Sequence, residues 1–286
     1  MRSAGRVDGS PDLVGCWRVW SSAQLRLPYP VRMTTGRRLD NTPARARAWH
    51  HARHAAVCDV IEPWAHGTVV RATRHPSYYD FNLVRVEEDP RMTAQALMAF
   101  ADEALAGLAH RRLDFDLADA AELHRRDFEN EGFKSERLVW MRHEFAAPPG
   151  PDIAVEEVPY DSAHDLRVAW YREESPDQDP GDYHAEAREV ALRRGARVFV
   201  VRRLALPVAF AQLEHHRVGA EITDVYVHPE HRGDGLGTAI TRAAIKAAGA
   251  VRDLWIVADD EDRPKELYAR LGFRPASRAM EFTRRL

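Results

Sequence analysis

The feature that most constrains the fold of this chain is a weak internal repeat with an offset of about 140 positions. Val86 aligns with Val227 at an offset of 141, and Phe133 aligns with Phe273 at an offset of 140. A single deletion accounts for the change of offset. The alternative is two unrelated runs of strands and helices, but a repeat at a steady offset favours a duplicated domain.

Hydrophobic periodicity predicts alternating helices and strands in both halves of the chain. In the first half the predicted elements are a helix over 45–58, strands over 68–73 and 81–86, a helix over 92–108, a strand over 113–117, a helix over 120–131 and a strand over 137–143. In the second half they are a strand over 153–158, helices over 162–171 and 183–194, strands over 198–204, 208–215 and 220–227, a helix over 236–248, a strand over 253–258, a helix over 264–271 and a strand over 277–284.

A Pro-Pro-Gly-Pro run separates the two periodic regions and is typical of a linker. The expected organisation is a leader over 1–40, a first domain over 41–146, a linker over 147–152 and a second domain over 153–286. We expect the leader to be poorly ordered because it shows neither helical nor strand periodicity. The sequence leaves open whether translation starts at Met1 or at Met33.

Composition argues against several classes of function. The chain has 41 basic and 44 acidic residues, so its net charge of −3 gives no overall attraction to nucleic acid or to anionic membranes. Cys16 and Cys58 are too few for a disulfide framework. The N-terminus lacks the apolar core of a signal peptide, and no stretch approaches the roughly 20 apolar residues of a membrane-spanning helix. We therefore expect a cytoplasmic protein without a nucleic-acid or membrane partner, whose oligomeric state stays open.

The most informative local motif is Arg232-Gly-Asp-Gly-Leu-Gly237, which joins a predicted strand to a predicted helix. Closely spaced glycines let backbone N–H groups converge on an anion, and a helix N-terminus adds partial positive charge. The motif therefore predicts a pyrophosphate-binding turn. It lacks the Gly-Lys-Ser/Thr of a P-loop and the glycine spacing of a dinucleotide fingerprint.

This turn resembles the acetyl-CoA-binding motif of the GCN5-related N-acetyltransferase (GNAT) superfamily. Arg232, Gly235 and Gly237 match the family pattern Arg/Gln-x-x-Gly-x-Gly/Ala. The preceding Val227-His-Pro-Glu-His231 and the later Leu267-Tyr-Ala-Arg-Leu-Gly-Phe273 are also typical of the family. The two segments occur in the family's order, with a predicted strand between them.

The resemblance covers residues 150–286 well and residues 45–145 only in pattern. It implies an α/β (α+β) fold of two tandem GNAT-like domains, each a mixed, mostly antiparallel sheet flanked by helices. It also implies an acetyl-CoA-dependent N-acetyltransferase that acts on a small-molecule or peptide amine by direct attack in a ternary complex. A non-catalytic module that binds or senses acyl-CoA is the alternative.

Acetyl-CoA is the co-substrate that the resemblance implies, and two stretches are assigned to it. The backbone of Val225 and Val227 would bind the pantetheine arm. The N–H groups of the turn would hold the pyrophosphate, which assigns this role to Arg232, Gly233, Asp234, Gly235, Leu236, Gly237 and Thr238.

Two residues are candidates for catalysis by the same resemblance. Glu221 stands where a carboxylate often acts as general base toward the amine, although a solvated charge at a strand end is the alternative. Asp224 is the weaker candidate because strand alternation places it on the opposite face from Glu221. Tyr268 matches the tyrosine that protonates the departing thiolate, with a core-facing tyrosine as the alternative.

Three further patterns bear on the cofactor, the acceptor and metals. Glu261 stands where the family often has a cofactor-contacting Asn, and this replacement weakens the inference of that contact. The alternative role of the acidic run around Glu261 is to cap the next helix. The acid-rich stretch 173–182 would either attract a cationic amine or form a solvated loop. His215 and His216 point to opposite strand faces, so we expect no metal site there.

The first copy departs from the pattern at the turn itself. Under the repeat alignment, Arg91-Met-Thr-Ala-Gln-Ala96 replaces all three glycines of the second copy. A turn without glycine cannot bring backbone N–H groups as close to a phosphate. We therefore expect one acetyl-CoA per chain, with the first copy acting as a scaffold.

Overall fold

The computed structural model describes residues 41–216 and 219–286, so the expected leader over 1–40 lies outside the described residues. Eleven strands are found among the described residues, and in chain order they are β1 (Val60–Trp64), β2 (Gly67–Arg71), β3 (Asn82–Val86), β4 (His110–Phe115), β5 (Lys134–His143), β6 (Glu156–Val158), β7 (Arg197–Arg203), β8 (Leu206–His216), β9 (Gly219–Val227), β10 (Asp253–Asp259) and β11 (Phe273–Arg285). The α-helices in the same ranges are α1 (Thr42–Val57), α2 (Ala94–Ala104), α3 (Ala118–Glu122), α4 (Arg125–Asn130), α5 (His164–Glu174), α6 (Tyr183–Arg193), α7 (Leu236–Ala248) and α8 (Pro264–Arg270).

All of these strands lie in one sheet, in the order β1-β2-β3-β4-β11-β5-β10-β9-β8-β7-β6. Two pairs are parallel, β3 with β4 and β9 with β10, and the other pairs are antiparallel. The strand order is similar on the two sides of the centre of the sheet. On one side β11 is followed by β4 and β3, and on the other β5 is followed by β10 and β9. This arrangement confirms the duplicated architecture that the repeat predicts.

The two halves exchange their last strands at the centre of the sheet. β5 belongs to the first half by sequence but lies between β10 and β11 of the second half. β11 in turn lies between β4 and β5 of the first half. The central pair is long, and it runs from Phe273 opposite His143 to Thr283 opposite Lys134 with one irregularity near Pro275. A single hydrogen-bonded sheet therefore joins the two halves.

The hydrophobic cores follow the same exchange. Met280 and Phe282 of β11 are fully buried in the first half's core, beside the apolar face of α2. Val139 and Met141 of β5 are buried in the second half's core, beside α7 and α8. Each half thus completes its core with side chains from the other, and the loss of either strand would expose apolar area on both sides.

Local sequence explains most of the helix positions. α2 begins after Thr93, whose hydroxyl accepts a hydrogen bond from the N–H of Ala96 at 3.2 Å, as an N-cap residue does. Leu236, Ile240 and Ala244 recur every four residues on α7 and face the core. The predicted helix over 120–131 is instead two short helices, α3 and α4. The chain breaks between them because only scattered apolar side chains in this segment reach the core.

Helix α1 covers the central strands on the face opposite the two main cores. Ala46 and Trp49 of α1 pack against Trp140 of β5 and Trp255 of β10. Residues 146–155 form neither helix nor strand and connect the two halves along the surface. None of the helices among the described residues is both long enough and apolar enough to cross a membrane.

Candidate active site between the two halves

The parallel strands of the second half separate midway along their length. β9 and β10 are paired only as far as Ile222 and Ile256. Beyond this point β10 pairs with β5, whereas β9 pairs with β8 as far as Val227. The edge of β9 around Val225 therefore has no β10 partner, and its backbone groups are free to bind an extended ligand. This is the stretch expected to contact a pantetheine arm.

A bulge in β9 changes which side chains reach the gap. The register with β8 shifts between Phe210 and Gln212, and Asp224 opposite this shift has a left-handed φ of +53°. Strand alternation predicts that Asp224 and Glu221 face opposite sides of the sheet. That expectation is wrong, because the extra residue of the bulge resets the alternation and both residues border the same cavity.

The glycine turn before α7 has the geometry of an anion cradle. Gly233 has a φ of +94° and Gly235 a φ of +78°, which L-residues with side chains rarely adopt. Among the described residues, none of the backbone N–H groups over 233–238 has a protein acceptor. The N–H of Arg232 differs, because it donates to the carbonyl of Pro229 at 3.2 Å. The unsatisfied N–H groups are those that an anion would pair with.

Gly237 has a different role within the same turn. A Cβ at this position would lie 3.4 Å from Cδ1 of Leu267 and 3.7 Å from Cγ2 of Val227. A methyl group here would make ordinary van der Waals contacts with α8 and the end of β9, so only a larger side chain would disturb the packing of these elements. The first two glycines shape the cradle, and the third lies where the elements that hold it meet.

The side chain of Arg232 ties the cradle to α5. Its guanidinium donates to both carboxylate oxygens of Glu173, at 2.7 and 2.9 Å, and to the carbonyl of Val227 at 3.0 Å. The hydroxyl of Tyr226 also donates to Glu173, at 3.0 Å. Glu173 is therefore paired with a base, which the acid-rich sequence around it does not show. Both bonds to Glu173 come from Nη2 of Arg232, and this partly exposed pair joins the turn to α5.

Between these elements lies a groove of about 760 Å³, which we call the cofactor groove. It is bordered by Val225–Val227 of β9, by the turn over 231–238 and by Leu267 and Tyr268 of α8. Trp170 of α5 closes the far side. The groove thus collects every residue that the sequence assigns to acetyl-CoA except Asp234, which lies in the same turn.

Tyr268 lies where the cofactor groove meets a smaller cavity of about 230 Å³, which we call the inner cavity. Tyr268 and Val225 border both spaces. The ring is buried, and burial raises the pKa of the Tyr268 hydroxyl above its ordinary value. The hydroxyl is therefore protonated near neutral pH and available as a donor to a group in either space.

Glu221 lies on the wall of the inner cavity and is 1% exposed, so it is not a solvated charge at a strand end. Its Oε2 accepts a hydrogen bond from Nε1 of Trp49 at 2.7 Å. Its Oε1 accepts one from the guanidinium of Arg53 at 3.3 Å. Both partners belong to α1 of the first half, which the sequence motifs do not connect with the second half. Because Trp49 and Arg53 lie far from Glu221 in sequence, only the tertiary structure reveals this contact.

Three carboxylates surround the guanidinium of Arg112, a residue of β4 that borders the inner cavity. Its guanidinium contacts three carboxylates, Asp80 at 2.7 Å, Asp114 at 2.8 Å and Glu281 at 2.6 Å. One positive charge cannot compensate three, and burial together with this crowding raises the pKa of Asp114 and of Glu281. Asp80 is the most exposed of the three carboxylates and borders the cavity.

Two histidines of α1 also border the inner cavity. His50, His54 and Asp114 place possible ligand atoms within 4.8 Å of one another. The nitrogens of His54 are both engaged, however, with the carbonyl of Asp80 and with Arg85, each at 3.1 Å. Burial, followed by neighbouring positive groups, lowers the pKa of both histidines. Arg53, Arg85 and Arg112 lie around these two histidines, and their positive charges oppose a metal ion at this cluster. His215 and His216 do not share a site either, since His215 faces the Ala248 carbonyl at 3.4 Å and His216 faces Trp49.

The acidic run before α8 is paired with bases from both halves. Glu261 accepts two hydrogen bonds from Arg125, at 3.0 and 3.1 Å. Asp260 contacts Arg278 at 2.6 Å. No side chain caps α8. Oδ1 of Asp262 accepts a hydrogen bond from the N–H of Arg263, the residue before α8, at 2.7 Å. Glu261 and Asp260 join this end of α8 to α4 and β11.

A third space, which we call the aromatic chamber, lies between α5, α6 and the first half. It has a volume of about 410 Å³, and its walls include six aromatic rings, those of Tyr78, Tyr79, Tyr160, Trp170, Tyr171 and Tyr183. Asp80, Arg112 and Asp224 border both this chamber and the inner cavity. Of the acid-rich stretch 173–182, Glu174 and Asp179 border the chamber. The three spaces therefore share wall residues, and the first half supplies part of the walls of the last two.

Comparison with known proteins agrees with this site. The family described as "Acetyltransferase (GNAT) domain" matches residues 194–275, which include β8, β9, the glycine turn, α7 and α8. A search of curated protein sequences gave no significant match. The family match therefore rests on the elements that build the cofactor groove.

Solved structures resemble the chain mainly in fold. A conserved protein of unknown function from Staphylococcus epidermidis is 15% identical, with a TM-score of 0.63 over 80% of this chain and 94% of that one. A GCN5-related N-acetyltransferase from Sphaerobacter thermophilus is 14% identical, with a TM-score of 0.46 over 71% of this chain and 73% of that one. A tandem GNAT protein from the clavulanic acid biosynthesis pathway is 16% identical, with a TM-score of 0.45 over 71% of this chain and 75% of that one.

The similarity in fold to the Staphylococcus epidermidis protein covers both halves, whereas the family match covers part of the second half alone. The separated parallel strands, the glycine turn and the buried tyrosine all lie within or beside the matched region. Residues 194–275 of this chain thus match the GNAT acetyltransferase domain family.

Proposed function

We propose that the protein transfers the acetyl group of acetyl-CoA to a primary amine by direct attack within a ternary complex. The observation that carries the proposal is the position of Tyr268, which borders the cofactor groove on one side and the inner cavity on the other. A donor at this junction can serve a thiolate leaving the groove while the acceptor approaches from the cavity.

The cofactor groove fits acetyl-CoA by two properties of its own. The free N–H groups over 233–238 and the N-terminus of α7 favour a pyrophosphate. The unpaired edge of β9 at Val225 and Val227 offers backbone groups to an extended amide chain. Acetyl-CoA supplies the thioester, and the cytoplasmic location expected from composition is where the proposed reaction takes place.

The chain's own residues would then move two protons. Glu221 would accept a proton from the incoming amine, directly or through water, while Trp49 and Arg53 orient its carboxylate. The amine nitrogen bonds to the acetyl carbon, and the bond from that carbon to sulfur breaks. Tyr268 would donate a proton to the departing sulfur, since a phenol is protonated at neutral pH.

The proposal is tested by calorimetry with acetyl-CoA and by measuring thiol release against a panel of polyamines, aminoglycosides, amino acids and peptides. We expect one acetyl-CoA per chain, because in the first half Thr93 and Asp89 already accept the N–H groups of Ala96 and Arg91 at the equivalent turn. Thiol release should require an amine. Two equivalent sites, or binding without transfer to any amine, would contradict the proposal, and the second result would favour an acyl-CoA sensor.

A further inference from the structure

The aromatic chamber has walls suited to a flat, apolar ligand body. Its rings support one another, because Tyr183 packs against Tyr78 at 5.6 Å and against Tyr171 at 5.2 Å between ring centroids. Tyr78 comes from the first half and the other two from the second half. Mutual packing of this kind holds the rings in place, so an aromatic ligand entering the chamber meets preformed walls.

The end of the chamber nearest the inner cavity is negative. Asp80, which borders both spaces, shares the guanidinium of Arg112 with two other carboxylates. Asp224, which also borders both spaces, is paired with Arg167 at 2.6 Å. Asp80 is the most exposed of the three carboxylates, so a ligand's ammonium is expected beside it at this end of the chamber.

Arg285 offers the complementary charge on another wall of the chamber. Its guanidinium donates to the hydroxyl of Tyr171 at 3.0 Å and lies 5.2 Å from the centre of the Tyr79 ring. Among the described residues, no carboxylate lies within 4.0 Å of it. A guanidinium that is half-buried against aromatic rings and lacks an acidic partner is a ready site for a ligand carboxylate.

The sheet register fixes the relative backbone positions of Arg285 and Arg112. Arg285 pairs with His110 of β4, whereas Arg112 pairs with Thr283, so their backbones are two residues apart along adjacent strands. Two residues of strand span about 7 Å. Because residues two apart on a strand lie on the same face of the sheet, Arg112 and Arg285 share one face, and both border the aromatic chamber.

We propose that the acceptor in the aromatic chamber is an α-amino acid with an aromatic side chain, whose carboxylate is bound by Arg285. The inference rests on the proposed acetyl transfer and names its substrate class. The amino nitrogen, after losing a proton, bonds to the acetyl carbon, and the carbon–sulfur bond breaks. The nitrogen loses a second proton as this bond breaks, and the departing sulfur takes up one proton. The products are the N-acetyl amino acid, the free thiol and one released proton.

The test compares each amino acid with the amine that lacks only its carboxylate. The probes are L-tryptophan with tryptamine and L-phenylalanine with phenethylamine, assayed on the full chain with acetyl-CoA. We expect the KM of each amino acid to be at least about tenfold below that of its amine, as one charge-assisted pair provides. Equal use of both members of a pair, or a preference for the amines, would overturn the inference.

Substitution of Arg285 tests whether this side chain causes the preference for an amino acid over the amine that lacks its carboxylate. Arg285→Gln should raise the KM of the amino acids about tenfold, so that each amino acid and its amine have similar KM values. Arg285→Lys should restore part of the KM difference between them. Arg284→Gln is the matched control. It removes the same charge from the next residue, whose guanidinium lies 4.6 Å from the centre of the Phe133 ring, away from the chamber. Equal effects of the Arg285→Gln and Arg284→Gln variants would overturn the assignment.

Calorimetry separates failure of this inference from failure of the proposed function. If the protein binds acetyl-CoA and acetylates other amines but neither binds nor acetylates these amino acids, the inference is wrong and the function stands. If acetyl-CoA does not bind, the function is wrong. L-tryptophan binding that exceeds tryptamine binding and is lost in the Arg285→Gln variant would then still support the chamber's ligand class.

Discussion

Gly235 is the residue at which the cradle is most sensitive to a side chain. Its φ is +78°, and a Cβ would lie 3.3 Å from Cγ of Pro151. We predict that Gly235→Val weakens acetyl-CoA binding at least about a hundredfold, because a branched side chain forces the turn away from the φ that aims its N–H groups. Calorimetry measures the loss.

Gly195→Val is the matched control for this prediction. Gly195 follows α6 with a φ of +67°, and nothing lies within 4 Å of its Cβ position. The backbone strain is therefore similar, but no cradle is involved. Acetyl-CoA affinity that falls equally in both variants, or in neither, would show that the turn over 232–238 does not hold the pyrophosphate.

A substitution of Tyr268 should change the rate of the chemical step without changing acetyl-CoA binding. We predict that Tyr268→Phe lowers kcat about a hundredfold, the usual effect of losing a general acid, while the Kd of acetyl-CoA stays the same. The phenyl ring keeps the buried contacts with Phe273 and the second-half core. Steady-state kinetics with calorimetry measure both quantities. An unchanged kcat would leave Tyr268 as a packing residue alone.

At the scale of elements, the exchanged strands make each half depend on the other. Removal of residues 41–145 would take away β5, which separates β10 from β11, and would leave Met280 and Phe282 without their core. We predict that residues 146–286 expressed alone lack a cooperative thermal transition and do not bind acetyl-CoA. Circular dichroism and calorimetry measure this. A stable monomeric fragment that binds acetyl-CoA would contradict the prediction.

A single substitution tests the same dependence in the full chain. Met280 is fully buried in the first half's core although it lies near the C-terminus. Met280→Ala should lower the free energy of unfolding by about 2–5 kcal/mol, as large-to-small core changes do, and the chain should still unfold in one transition. Two separate transitions would show that the halves are independent.

At the scale of the whole molecule, the buried histidines of α1 make stability depend on pH. The pKa values of His50 and His54 are both lowered in the folded state, mainly by burial. Below the unfolded value of about 6.5, the unfolded chain therefore binds more protons, and stability falls as pH falls. The raised pKa values of Asp114 and Glu281 act in the opposite direction, so a variant is needed to isolate the histidines.

We predict that His54→Gln reduces the fall in stability between pH 7 and pH 5 by up to about 1.4 kcal/mol per pH unit below the unfolded pKa. Glutamine can still donate to the Asp80 carbonyl, as His54 does at 3.1 Å, but cannot take up a proton. Urea unfolding of both proteins at several pH values measures the difference. Parallel pH profiles would contradict the assignment of a low pKa to His54.

The sequence by itself determined the features that depend on neighbouring residues. Gly233 and Gly235 permit the left-handed backbone that the turn adopts, so its anion-binding geometry was predictable. Helix α7 follows from apolar residues at every fourth position, and the paired strand–helix runs follow from the repeat at Val86 and Val227. These patterns are local, and local backbone preferences fix them.

Only the tertiary structure decided how the two halves share their strands and their site. The exchange of β5 and β11 is a choice of strand partner, and the apolar pattern of a strand does not name its neighbour. The contacts of Glu221 with Trp49 and Arg53 span more than 160 residues of sequence. The bulge that turns Asp224 toward the inner cavity depends on the register with β8. These features arise from long-range packing, which selects among many locally acceptable arrangements by burying the most apolar area and pairing buried charges.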